Sequence, residues 1–127
     1  MTEEKKTVLV VDDDPDTVEY ISTVLEDAGF TTRTAENGQQ AEESIEACLP
    51  DLITLDVSMP EKSGIRFYRD MKENDQRKHI PIIMITGADA NLEKFLAGRK
   101  QTPPPNAFMP KPIDRAKLLE LAQQLTA

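Results

Sequence analysis

The chain has 127 residues, with 15 Lys and Arg against 23 Asp and Glu and a formal net charge of −8. That length predicts a single domain over 1–127 with a proper core and no separate output domain, and the acidic balance argues against unaided contact with nucleic acid. No apolar run approaches a membrane span, the start Met1-Thr2-Glu3-Glu4-Lys5-Lys6 lacks the apolar region of a signal peptide, and the single cysteine, Cys48, suits a reducing compartment, so the expected location is the cytoplasm, with no membrane insertion.

Val8 to Val11 read as a buried strand running into Asp12, Asp13 and Asp14. Pro15 suits the first position of a helix, with Asp14 placed to cap it, and Val18, Ile21, Val24, Leu25 and Ala28 recur at helical spacing before Gly29 stops it. Phe30 to Ala35 is β-prone but polar and reads as an edge strand. Asn37-Gly38 marks a turn, and Ala41, Ile45, Cys48 and Leu49 then line one side of a second helix that Pro50 ends; this spacing makes Cys48 a small apolar core residue.

Leu52 to Leu55 form an unbroken apolar or β-branched run into Asp56, as expected of a strand covered on both faces. Ser63-Gly64 leads into a third helix carrying Ile65, Tyr68 and Met71, and the charged stretch from Lys72 to Lys78 reads as a solvated helix end and loop. His79 stands alone without metal-ligand company and reads as a surface residue. Ile82 to Ile85 make another buried strand ending at Thr86-Gly87, and a short fourth helix carries Leu92, Phe95 and Leu96. Gln101 to Asn106, with three successive prolines, reads as a stiff loop. Ala107 to Met109 form a brief last strand before Pro110-Lys111-Pro112, and Asp114 caps a final helix with Leu118, Leu119, Leu121, Ala122 and Leu125 on its buried stripe.

Strand and helix thus alternate five times, which predicts a doubly wound α/β fold: five parallel strands in the order 2-1-3-4-5, right-handed crossovers and helices on both faces, the flavodoxin-like (βα)5 arrangement. In that topology Asp12, Asp13, Asp56, Thr86 and Lys111 all emerge at the carboxyl edge of the sheet, where ligands bind in such folds. Crowded carboxylates repel one another unless a cation is present, and oxygen-only donors without Cys or His favour a hard ion such as Mg²⁺. A hydroxyl, an ammonium and a divalent cation around one nucleophilic carboxylate suit a phosphoryl group, whose oxygens carry the charge during transfer.

Taken together and in order, Asp12-Asp13, Asp56 with Met59-Pro60 and Gly64, Thr86-Gly87 and Lys111-Pro112 resemble the signature of the response regulator receiver domain of two-component signalling, over about Val8 to Leu125. The resemblance implies that Asp56 accepts a phosphoryl group from a phosphohistidine on a sensor histidine kinase or phosphotransfer protein. It implies Mg²⁺ on Asp12, Asp13, Asp56 and the backbone carbonyl of Ser58, phosphoryl oxygens held by Thr86 and Lys111, and a cis peptide before Pro112. It also implies a surface change read by a downstream protein, with the chain a signalling phosphoacceptor that catalyses its own phosphorylation and dephosphorylation rather than an enzyme acting on other molecules. Phe108 fits two readings: the family's switch aromatic, moving with Thr86, or a fixed apolar residue of an edge strand. Ser58 and Ala88 occupy positions that tune phosphoryl lifetime in the family, and neither can orient an attacking water, so slow self-dephosphorylation is expected. The segment between Thr86 and Lys111 is a few residues longer than in chemotaxis-type receivers, and this departure puts dimerisation through the family's usual output face in question.

Three rival readings compete. A degenerate receiver serving only as a binding module would lack an acceptor, acidic pair, threonine or lysine, and none is missing. A flavodoxin-like FMN protein shares the topology but needs a neutral first loop to cradle phosphate, and Asp12 to Asp16 supply the opposite charge. An aspartate-nucleophile phosphatase would want an acid in place of Ser58 and a cap domain.

Overall fold

The computed structural model describes residues 5–56, 63–86 and 106–127. Its elements are β1 (Thr7–Val11), α1 (Pro15–Asp27), β2 (Thr31–Ala35), α2 (Gly38–Ala47), β3 (Leu52–Asp56), α3 (Ser63–Glu73), β4 (Ile82–Thr86), β5 (Ala107–Pro110) and α4 (Arg115–Leu125). The strands form one parallel sheet in the order β2-β1-β3-β4-β5, as the alternation of elements predicts. The expected helix around Leu92, Phe95 and Leu96 and the loop prolines at 103–105 lie outside the described residues. Among the described residues, no helix is long and apolar enough to cross a membrane.

Successive strand side chains point to opposite faces, so each central strand feeds two cores. Leu9, Val11, Ile53, Leu55, Ile82 and Met84 pack on one face with Ala41 and Ile45 of α2 and Phe67, Tyr68 and Met71 of α3. Val8, Val10, Leu52, Ile83 and Ile85 pack on the other with Ile21, Val24 and Leu25 of α1 and Leu118 and Ala122 of α4. This two-sided burial explains the unbroken apolar runs of β1, β3 and β4. The outer strands β2 and β5 are only partly buried, as their more polar or shorter sequences imply.

Helix ends follow their capping chemistry. Asp14, Asn37 and Asp114 each accept a backbone N–H of their helix through the side chain, and Gly29, with φ of 98°, supplies the left-handed turn after α1. Two expectations need correction. Helix α2 ends at Ala47, not at Pro50; Cys48 is already extended, with φ −164° and ψ 129°, so its thiol is exposed and Leu49 is 50% exposed. The helical stripe is therefore cut before it can carry either side chain into the core. The stretch from Lys72 to Lys78 is also more than a solvated end: Arg77 pairs with Glu42 of α2, while Lys72 Nζ lies 5.7 Å from the centre of the Tyr68 ring and donates to the carbonyl of Lys78 at 3.3 Å. Burial lowers the Lys72 pKa and pushes Tyr68 up to about 12.

Candidate functional site

Strands β1, β3, β4 and β5 deliver the site residues from their carboxyl ends. Asp56 is opposite Ile85, and Thr86 is opposite Pro110, so Thr86 and Lys111 leave the sheet beside Asp56. The peptide N–H of Lys111 donates to the Thr86 carbonyl at 2.9 Å, which fixes the start of the chain after β5. The Lys111–Pro112 peptide bond is cis, as the resemblance implies. On the other side, the Asp12 N–H donates to the Ala35 carbonyl at 3.0 Å, tying the end of β1 to the end of β2.

Carboxylate oxygens of Asp12, Asp13 and Asp56 all lie within 4.8 Å of one another. Asp12 and Asp56 are each 1% exposed, whereas Asp13 faces solvent. Lys111 Nζ donates to Asp56 Oδ2 at 3.1 Å and stands 3.5 Å from Asp12 Oδ2. Asp12 Oδ1 accepts the Asp14 N–H at 2.9 Å, while its buried Oδ2 accepts no hydrogen bond among the described residues.

The electrostatics follow from this crowding. Burial pushes the Asp12 pKa up to about 6; the Asp14 N–H opposes the rise, the Asp56 carboxylate adds to it and Lys111 offsets part of it. Burial alone would lower the Lys111 pKa, but its hydrogen bond to Asp56 and the charges of Asp56 and Asp12 raise it instead, so Lys111 stays an ammonium. Asp14 is lowered by the Thr17 hydroxyl and the Asp16 N–H, in keeping with a capping role.

The cluster fits a hard divalent cation. Its donors are all carboxylate oxygens, and among the described residues the buried Oδ2 of Asp12 accepts no hydrogen bond, with Lys111 Nζ standing 3.5 Å away. Of the predicted site residues, Asp12, Asp13, Asp56 and Lys111 converge directly, and Thr86 sits at the adjoining strand end. Ser58 and Ala88 lie outside the described residues. Phe108 is half-buried and packs against the core on the α2 and α3 face, a position compatible with either of its two readings.

Tyr20 was missed in the sequence. It is 43% exposed and its hydroxyl donates to the Ile113 carbonyl at 3.3 Å. With Asp16, Thr17, Lys111, Pro112 and Ile113 it borders a groove of about 430 Å³ beside the site. Its position three residues after Thr17 on an exposed helix face was the available signal, but nothing local tied it to a segment 93 residues away.

Comparison with known proteins agrees with this geometry. The family profile described as "Response regulator receiver domain" matches residues 8–123. Protein Rrf1 of Nitratidesulfovibrio vulgaris is 32% identical over 122 residues, covering 94% of this chain and 82% of its own. The polar-differentiation response regulator DivK of Brucella anthropi is 28% identical over 117 residues, covering 91% of each. The high-resolution structure of the chemotaxis response regulator CheY4 of Vibrio cholerae superposes with a TM-score of 0.82 at 29% identity, covering 96% of this chain and 99% of that one.

Proposed function

This chain belongs to the response regulator receiver domain family, and from that premise we propose that it is a phosphorylation-activated signalling switch with Asp56 as its phosphoacceptor. The observation that carries the reading is the Lys111 ammonium 3.1 Å from Asp56 Oδ2, inside a cluster of three carboxylates at the end of a buried sheet. The phosphoryl donor is a sensor histidine kinase or a phosphotransfer protein. The groove between α1 and the segment after Lys111 leaves a side of the site open to it.

In the proposed step an Asp56 carboxylate oxygen forms a bond to phosphorus while the bond to the donor imidazole nitrogen breaks. Lys111 faces the charge that gathers on the phosphoryl oxygens, and Thr86 offers its hydroxyl to another of them. Asp12, Asp13, Asp56 and the carbonyl of Ser58 would hold Mg²⁺, which neutralises phosphoryl charge when bound. Buried Asp12 fixes the inner wall of that site through the Asp14 N–H, and exposed Asp13 closes it from the solvent side. The chain thereby catalyses its own phosphorylation and dephosphorylation, and phosphorylation shifts an equilibrium between surfaces that a downstream protein reads.

Intact mass after incubation with acetyl phosphate tests this. One phosphoryl adduct is expected on the wild type with Mg²⁺, and none without metal or on Asp56→Asn. An adduct that persists on Asp56→Asn would falsify the assignment. Because Ser58 and Ala88 offer no group to orient water, the adduct should decay over minutes or longer; decay within seconds rules that expectation out.

A further inference from the structure

The outer side of β2 remains without an assigned role. β2 is the outermost strand of the sheet, and among the described residues no strand pairs with its far side. The Thr31 N–H donates to the Lys6 carbonyl at 2.9 Å, and the Ala35 carbonyl accepts from Asp12 at 3.0 Å. Bonded residues alternate in a parallel ladder, so Thr31, Arg33 and Ala35 are engaged with β1 while the peptide groups of Thr32 and Thr34 point outward. Exposed edges of this kind are usually protected by proline, lysine or an inward charge. The sequence Thr-Thr-Arg-Thr-Ala of β2 has no proline or lysine, and its single charge, Arg33, is drawn aside to the carbonyl of Cys48 at 3.0 Å.

The same edge borders a groove of about 460 Å³ between α1 and β2, lined by Glu19, Ser22 and Glu26 of α1 and by Thr32, Thr34 and Glu36. The Ser22 hydroxyl is shielded from solvent and has no hydrogen-bond partner among the described residues. Among the described residues no basic side chain lines the groove, and neither α1 nor α2 carries a lysine or arginine. The α1 side of β2 is therefore acidic, Arg33 alternating to the opposite face, and a second copy of this chain, itself at −8, would be repelled there.

We propose that the β2 edge is a docking site for an extended, lysine- or arginine-rich segment of a partner protein, which adds as a strand beside Thr32 and Thr34 and places alternate basic side chains in the acidic groove. Backbone pairing supplies the fit, and charge selects the partner. Asp13 lines this groove as well as the phosphoacceptor cluster, so a docked cation lies next to the residues that respond to phosphorylation.

The test uses the full chain and a short fluorescent peptide alternating lysine and threonine, read by anisotropy and by amide hydrogen exchange. Binding should slow exchange at Thr32 and Thr34, and the same peptide N-methylated at its threonine nitrogens should bind far more weakly. The double variant Glu19→Gln, Glu26→Gln should bind about tenfold more weakly, since each exposed charge pair contributes up to roughly fivefold. Thr34→Pro, which removes an outward N–H from an edge position that tolerates proline, should abolish strand addition. Both variants lie outside the phosphoacceptor cluster, so continued labelling by acetyl phosphate reports that they fold. Asp56→Asn should bind the peptide as the wild type does, which separates this proposal from the phosphoacceptor reading. Equal binding of the N-methylated peptide, complete displacement by equimolar spermine, or unchanged exchange at Thr32 and Thr34 would each show diffuse polycation attraction and overturn it. So would sedimentation showing that the edge is filled by a second copy, or no binding of the peptide at all.

Discussion

Leu55 and Asp56 are neighbours on β3 and almost equally buried, at 0% and 1% exposed, yet burial acts on them with opposite sign. In the middle of the sheet, Ile53, Leu55, Ile82 and Met84 remove apolar surface from water and stabilise the fold. At its carboxyl edge, Asp12 and Asp56 are withdrawn from water beside the Lys111 ammonium, an arrangement that favours binding rather than stability. The difference shows what the apolar runs are for: they hold rigid strand ends on which an unfavourable cluster of charge can be kept. Leu55→Ala should give the largest effect, a loss of about 2–5 kcal/mol in urea unfolding, through lost burial and the cavity left behind. A loss no larger than that of an exposed residue would collapse the distinction.

Asp12 tests the other side. Its pKa is raised from 3.8 to about 6 in the folded chain, so the native state holds the proton more tightly than the unfolded state does. Its contribution is therefore most favourable below the unfolded value and declines as pH rises through about 6. Metal-free protein should be less stable at pH 7.5 than at pH 5 through this group, by about 1–2 kcal/mol, and Asp12→Asn should flatten that dependence. On the proposed function Mg²⁺ would compete with the same proton, so its affinity should fall as pH drops below about 6. Urea unfolding in chelator across this range, with calorimetric Mg²⁺ titration, checks both. A wild-type profile no steeper than that of Asp12→Asn would mean that the edge carries no such cost.

Much of this was legible in the sequence because it rests on short-range signals. Apolar runs ending in Asp12, Asp56 and Thr86, caps at Asp14 and Asp114, and the strict alternation of elements lead to the strand order, and the order brings the strand ends together. What the sequence hid depends on long-range geometry or on the place where a periodic stripe is cut. Tyr20 reaches the Ile113 carbonyl, and Arg77 reaches Glu42, through contacts that no local pattern encodes. Cys48 continues the apolar spacing of α2 in sequence, but the backbone has already left the helix.

Thr54 offers a smaller effect and a sharper one, because it places an edge-like group in the middle of the sheet. It is fully buried on β3, beside Val10 and Ile83, and its Oγ1 has no hydrogen-bond partner among the described residues. An orphaned hydroxyl in an apolar layer costs free energy that a same-shaped apolar side chain does not. Thr54→Val should therefore raise stability by about 1 kcal/mol in urea unfolding, with acetyl phosphate labelling unchanged. A loss instead would mean that the hydroxyl is satisfied in solution and that the middle of the sheet is not purely apolar in its demands.

The amino edge of the sheet, where α2 gives way to β3, should respond least. Cys48 there is exposed and extended, and its thiol makes a 3.9 Å contact with the carbonyl of Leu49. It contributes neither apolar burial, as Leu55 does, nor enclosed charge, as Asp56 does. Cys48→Ser should change stability by less than about 0.5 kcal/mol, the range of surface substitutions away from special features. The native thiol should also react with iodoacetamide as readily in folded protein as in urea. If alkylation instead required unfolding, Cys48 would belong to the core that its sequence spacing implies, α2 would extend toward Pro50, and the apolar middle of the sheet would reach its amino edge.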